Sequence, residues 1–327
     1  MNQAQEWVIT KEDYNILINY FGCGNFTEAK VLFFGNEEGI GGNELEANIV
    51  SRIEKFGQYD ENGLLLSSLK LNNKECGYWE PNGALGGDKV HAYLFAQGRV
   101  SEEKRKPFKE GFFLPMAARI CLDLENPQLD PTYWFQTAAN REAKNEIDHF
   151  ILDHLFRERE SGIQTALTDW RPLPRVTEKD SPKEYARIDW KKYSRAFGNP
   201  YSKRVIKDEF TCYSEDAKRR AAVLQELLIK FKIPVMIGFG NIPVKMKLLN
   251  SIFPGTRFET MTSVAFPNHK GMNATIPIQD HQMYVILLPF PDPSTQTWYG
   301  IPKEDKYSTM LSYFREMVQA YIKPKFK

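Results

Sequence analysis

Lys30-Val31-Leu32-Phe33-Phe34-Gly35-Asn36-Glu37-Glu38-Gly39-Ile40-Gly41-Gly42 is the stretch that decides the fold. Its first part is a short, continuous apolar run, the signature of a strand buried on both faces. The spacing predicts that this strand ends at Phe34 and that Gly35 to Gly42 form a loop. A helix should follow, since Leu45, Ile49, Val50, Ile53 and Phe56 fall on one face. Upstream, Thr10 with Asp13 three residues on has the form of a polar helix cap. The helix it opens carries Tyr14, Ile16, Leu17, Tyr20 and Phe21 and should stop at Gly22 and Gly24. Helix, strand, glycine loop, helix is how an α/β chain begins.

Three further apolar runs repeat the theme. Thr165 to Trp170 is stopped by Arg171-Pro172-Leu173-Pro174-Arg175, Pro234 to Phe239 ends at Gly240-Asn241, and Tyr284 to Leu288 runs into Pro289-Phe290-Pro291-Asp292-Pro293-Ser294. Helical patterns lie between and after them: from Asp130-Pro131 to Glu160, from Ser214 through Leu228, and from about Ser308 to Ile322. Buried strands alternating with helices imply a mainly parallel, four-stranded sheet covered on both faces. The Gly- and Pro-broken span 58–119, with the basic cluster Lys104-Arg105-Lys106, and the polar span 176–212 read as insertions. A hairpin-like stretch occupies Thr256 to Pro277. The expectation is one domain over 1–327.

The 327 residues are 42% hydrophobic and 26% charged, the composition of a packed globule rather than a disordered chain. Lys plus Arg number 43 against 42 Asp plus Glu, which excludes a uniformly basic protein but not a local basic face. The longest apolar run, Tyr284 to Phe290, falls far short of the roughly 18 residues of a membrane helix. Met1 to Thr10 is polar and carries Glu6, without the basic and apolar parts of a signal peptide. Cys23, Cys76, Cys121 and Cys212 form no C-x-x-C pair, so neither a zinc finger nor a secreted disulfide framework is indicated. The expected setting is the cytoplasm, with no metal, no cofactor, no membrane and no obligate protein partner.

In such a sheet, ligands bind outside the carboxyl ends of the strands. The first strand end matches neither G-x-x-x-x-G-K-[ST] nor G-x-G-x-x-G, and Glu37 and Glu38 would repel a phosphate. A carboxylate held between glycines suits water activation or stabilisation of a developing positive charge; the structural alternative is that both glutamates cap the following helix.

The order of these strand ends resembles the uracil-DNA glycosylase superfamily. Gly35-Asn36-Glu37-Glu38-Gly39 is similar to that family's water-activating motif, Thr168-Asp169 through Pro172 to its base-recognition strand, and Leu288-Pro289-Phe290-Pro291 to its His-Pro-x-Pro turn. The resemblance implies a three-layer αβα fold and hydrolysis of the N-glycosidic bond of a flipped-out base in DNA. Glu37 and Asp169 would be catalytic. Gly35, Asn36, Glu38, Trp79, Asp169 and Asn241 would meet the base, and Arg171, Arg175, His269, Lys270, Pro291, Asp292, Pro293 and Ser294 would meet the DNA. Lys191-Lys192, Lys203-Arg204 and Lys218-Arg219-Arg220 are further candidates for phosphate contacts.

Two departures shape the expectation. Leu288 stands where the family has histidine, so another group, His269 or His281, would have to steady the departing base. Asp169 stands where the family has Asn. A carboxamide reads uracil, whereas a protonated carboxyl accepts from the 4-amino group of cytosine and donates to its N3. The substrate expected is therefore a cytosine-type or modified pyrimidine, as in defence against modified phage DNA. A salt bridge from Asp169 to Arg171 or Arg175 is the structural alternative. Other readings are uracil removal in repair, a non-catalytic DNA-binding protein of the same fold, and a metal-dependent nucleotide hydrolase.

Overall fold

The computed structural model describes residues 7–39, 45–56, 112–136, 141–175, 181–198 and 201–326. They form an α/β structure around a seven-stranded mixed sheet: β1 (Cys23–Gly24), β2 (Val31–Gly39), β3 (Thr165–Arg175), β4 (Val235–Phe239), β5 (Glu259–Met261), β6 (Gly271–Ile278) and β7 (His281–Leu288), in the order β1-β3-β2-β4-β7-β6-β5. β2 pairs parallel with β4 (Val31 opposite Val235) and β4 parallel with β7 (Val235 opposite Tyr284). β6 and β7 are antiparallel, as are β5 and β6. Val31 to Phe34, Val235 to Phe239 and Val285 to Leu288 are buried without a break. Since successive side chains point to opposite faces, both faces of these strands are covered.

The sheet corrects the sequence expectation of four strands. β1 and β5, at two and three residues, are too short for any periodicity to show. The hairpin-like stretch supplies β5 and most of β6, whose alternating burial marks an edge-side strand with one wet face. The two-residue link between Ile278 and His281 places Gln279 at φ +50°, the left-handed conformation that such tight hairpins need. β2 and β3 also run further than their apolar stretches. Gly35 to Gly39 is strand rather than loop, and Arg171 to Arg175 continues β3 instead of stopping it.

The helices are α1 (Lys11–Asn19), α2 (Leu45–Phe56), α3 (Phe113–Glu125), α4 (Arg141–Asp153), α5 (Trp190–Gly198), α6 (Tyr213–Phe231), α7 (Ile242–Ile252) and α8 (Lys306–Met317). None of the described helices is long and apolar enough to cross a membrane. Thr10 and Asp13 make the expected reciprocal cap on α1, with bonds of 3.1 and 2.9 Å. Asp130 caps only a 3-10 turn at Pro131–Tyr133, and the long helix expected to Glu160 is confined to α4. Ser214 lies inside α6, where its hydroxyl accepts from the Ile206 amide, and so does not cap it. α3 begins within the span read as an insertion; it has no side-chain cap and carries Pro115 in its first turn, where a proline is tolerated. Within 176–212, α5 buries Tyr193, Ala196 and Phe197, so that span contributes to the core.

The chain divides into two compact units: Met1–Gly24, Asn36–Lys109 and Thr168–Lys230 in the first, Asn25–Gly35, Glu110–Leu167 and Phe231–Lys327 in the second. In the second, Phe33 is ringed by Phe113, Phe156 and Phe239, at centroid distances of 5.8 to 6.3 Å. In the first, the buried Arg220 of α6 ties two segments together. Its guanidinium donates to the Ile18 and Tyr20 carbonyls at the end of α1 and to those of Asp169 and Trp170 on β3. Burial lowers its pKa to about 10, so it remains charged at neutral pH. Arg220→Met should cost at least about 3 kcal/mol, because buried carbonyls lose their donor; urea unfolding of the variant against the wild type measures it.

Candidate functional site

In the first unit, the charged residues at the ends of β2 and β3 come together. Glu37 receives a bidentate pair from Arg175: Nε to Oε1 at 2.7 Å and Nη2 to Oε2 at 2.8 Å. Arg171 stands on the same carboxylate at 3.7 Å. The side chains of Glu37 and Arg175 are only 5% and 2% exposed. Two strands can run on through polar sequence because these groups satisfy each other across the pair. The face of Arg175 lies on the Trp190 ring, 4.2 Å from its centroid, which docks the start of α5. Tyr185 donates to the Pro174 carbonyl at 2.8 Å and adds a second clamp.

Tyr193 lies within the field of this cluster. Its hydroxyl is pushed far up in pKa, first by burial and then by the Glu37 charge. Arg220 in turn feels both Asp169 and Tyr193. Asp169 and Arg171 are the partly exposed residues of β3, flanked by buried ones. Arg220 is electrostatically coupled to Asp169, and Arg171 and Arg175 both stand on Glu37. The helix-capping alternative fails for Glu37, which is a strand residue engaged by arginines.

Asn36 is half-buried in β2, and Gly35 is buried before it. The backbone of Glu38 belongs to β2, but its side chain lies outside the described set, as does Trp79 with the whole span 57–111.

The second unit holds the remaining candidates. Asn241 is exposed and left-handed at φ +45°, following Gly240 at φ +68°, and together they turn β4 into α7. Lys245, which the sequence reading did not single out, is 1% exposed. Its ammonium donates to the Phe239 and Gly240 carbonyls at 2.9 Å each and lies over the Phe34 ring at 5.1 Å. Gly238 leaves room here, since a Cβ there would sit 2.7 Å from Leu287 Cδ2 and 3.2 Å from the lysine stem. One buried lysine beside an exposed one, Lys247, gave no pattern to follow.

Leu288 is fully buried in β7. Pro291 is buried too, Asp292 and Pro293 are half-buried, and Ser294 and Lys270 are exposed. Asp292 caps its own turn by accepting from the Ser294 amide at 2.8 Å. His269 stacks on Trp298 at 4.7 Å and an interplanar angle of 21°, with Tyr313 beyond at 5.9 Å. His281 is half-buried near Asp280, at 3.9 Å.

No family model, curated protein or solved structure matches the chain.

Glu37→Gln leaves buried Arg175 facing a neutral partner and should cost roughly 3 kcal/mol. A Glu37→Leu/Arg175→Leu double variant should lose less than the sum of its single variants, read by a double-mutant cycle in urea. His269 is held below its ordinary pKa chiefly by burial, so the unfolded chain takes up the proton first as pH falls. Its contribution is full above about pH 6.5 and is lost as acidification moves toward the lowered folded value. Unfolding midpoints taken from about pH 7 to about pH 5 should fall more steeply in the wild type than in His269→Phe.

Proposed function

We propose that the chain is a DNA glycosylase of the uracil-DNA glycosylase type, acting on a cytosine-type or modified pyrimidine. The observation that carries this reading is the pairing of Glu37 with Arg175 and Arg171, on the strand beside Asp169 and within one compact unit. The strand order supports it as well. The connection after β2 leads to β3 on one side and that after β4 to the strands on the other, the topology in which ligands gather outside strand ends. A three-layer αβα class accords with strands buried on both faces.

Glu37, fixed as an anion by its arginines, is suited to stabilising an oxocarbenium-like sugar and to directing a water at it, more than to acting as a strong base. Asp169 lies within the field of the buried Arg220. As a carboxylate it would accept from the 4-amino group and from an N3 that has taken a proton from solvent; the electrons of the N-glycosidic bond then leave with the base, which departs as neutral cytosine. Against uracil, the same carboxylate faces the O4 acceptor. Binding without catalysis is the second reading, favoured by the guanidinium bonds that already occupy Glu37.

The test is incubation with duplex and single-stranded DNA bearing uracil, cytosine or 5-substituted cytosines, followed by alkali cleavage at abasic sites. Release is expected at a cytosine-type base, and Asp169→Asn should shift preference toward uracil by about 10- to 100-fold. Rapid uracil release by the wild type with no cytosine-type release would overturn the base assignment. DNA binding with no abasic sites on any substrate would favour the second reading.

A further inference from the structure

From Lys183 to Lys207 the chain carries eight Lys and Arg against Glu184 and Asp189, a net of +6 in a protein whose total is +1. This concentration lies in the first unit. Arg187, Lys191, Arg195, Lys203, Arg204 and Lys207 are all exposed. Among the described residues, none of these six is engaged in an ion pair. Lys191 and Arg195 are one turn apart on the outer face of α5, about 6 Å along its axis.

The two basic stretches are pinned to consecutive residues of α6. The Asp189 amide donates to the Tyr213 hydroxyl at 2.9 Å, which anchors the start of α5. Ser214 accepts from the Ile206 amide at 2.9 Å and donates to the Arg204 carbonyl at 3.4 Å, which anchors 203–207. Lys207 and Cys212 close that loop with a β-bridge. Two of the neighbouring acids are engaged locally, Asp189 at the surface. Asp189 pairs with Lys192 at 3.3 Å, and Asp208 accepts from the Phe210 and Thr211 amides. Glu209 is the exposed acid at the rim. Tyr201, 45% exposed, sits between the two stretches.

We propose that this face, Arg187 to Lys207, binds the phosphodiester backbone of DNA, with Tyr201 stacking on an unpaired base. Fixed cations interleaved with an exposed aromatic are the means by which proteins hold single strands. A lipid surface fits less well, because α5 spends its apolar side on the protein core, with Tyr193 and Phe197 fully buried. The inference takes its polyanion from the DNA reading above but uses none of its bond-breaking chemistry. Absence of abasic sites leaves it standing, and its own failure leaves base removal to be judged by abasic sites.

The experiment measures binding of a labelled DNA strand of about 20 nucleotides, single-stranded and as a duplex, to the full chain across a salt series. A Lys191→Gln/Arg195→Gln/Arg204→Gln variant, altered only at exposed side chains, should bind at least about tenfold more weakly near 0.1 M salt and lower the log–log salt slope by about 2. Its thermal unfolding should match the wild type. Lys247→Gln/Lys303→Gln, in the second unit, should bind as the wild type does. Tyr201→Ala should weaken the single strand more than the duplex. The proposal is overturned if the triple variant keeps wild-type affinity, if the wild type binds neither DNA, or if polyglutamate or anionic vesicles compete as well as DNA.

Discussion

The bidentate contact between Glu37 and Arg175 is the constraint on which the first unit depends. Two charges only 5% and 2% exposed are costly to remove from water, and neither is tolerable there without the other. Their mutual satisfaction lets β2 and β3 stay extended through Gly-Asn-Glu-Glu-Gly and Arg-Pro-Leu-Pro-Arg, sequences that otherwise read as chain reversals. Once Arg175 is fixed, its flat face becomes a seat for Trp190, and the Pro174 carbonyl becomes a partner for Tyr185. Much of 181–198 is organised around that one guanidinium.

Other long cations show the same economy. Arg220 gathers carbonyls from α1 and β3, Lys245 holds two at the end of β4, and Arg159 joins Glu125 at the foot of α3. Each places a charge where backbone groups or a carboxylate converge and lets its stem fill apolar space. The exposed cations of 187–207 are different in kind. Apart from Lys192, which pairs with Asp189, they point outward with no ion pair among the described residues.

The sequence made the central strands legible because consecutive apolar residues have few uses other than a doubly covered strand. The cap at Thr10 and Asp13 was equally readable, since both bonds are local. Glu37 and Asp169 could be nominated from their position at strand ends, but their partners could not. Arg175 lies 138 residues from Glu37, and Arg220 lies 51 from Asp169, distances at which no spacing rule operates. Lys245 and the buried face of α5 escaped for a related reason: lysines and arginines on either side of Tyr193 make that segment look like surface. The two shortest strands owe their existence to neighbours rather than to their own residues.

Each compact unit is assembled from three separated pieces of chain, threaded alternately with the pieces of the other. During synthesis the first unit lacks Arg220 until residue 220 has been made, and the second still awaits β4, β7 and α8. Helix α1 must therefore wait some two hundred residues for the side chain that donates to its last carbonyls. Such non-local closure makes for slow, late consolidation, with long exposure of apolar strands to wrong partners and to chaperones. It also means that neither half is available to limited proteolysis or gene truncation as a self-sufficient fragment.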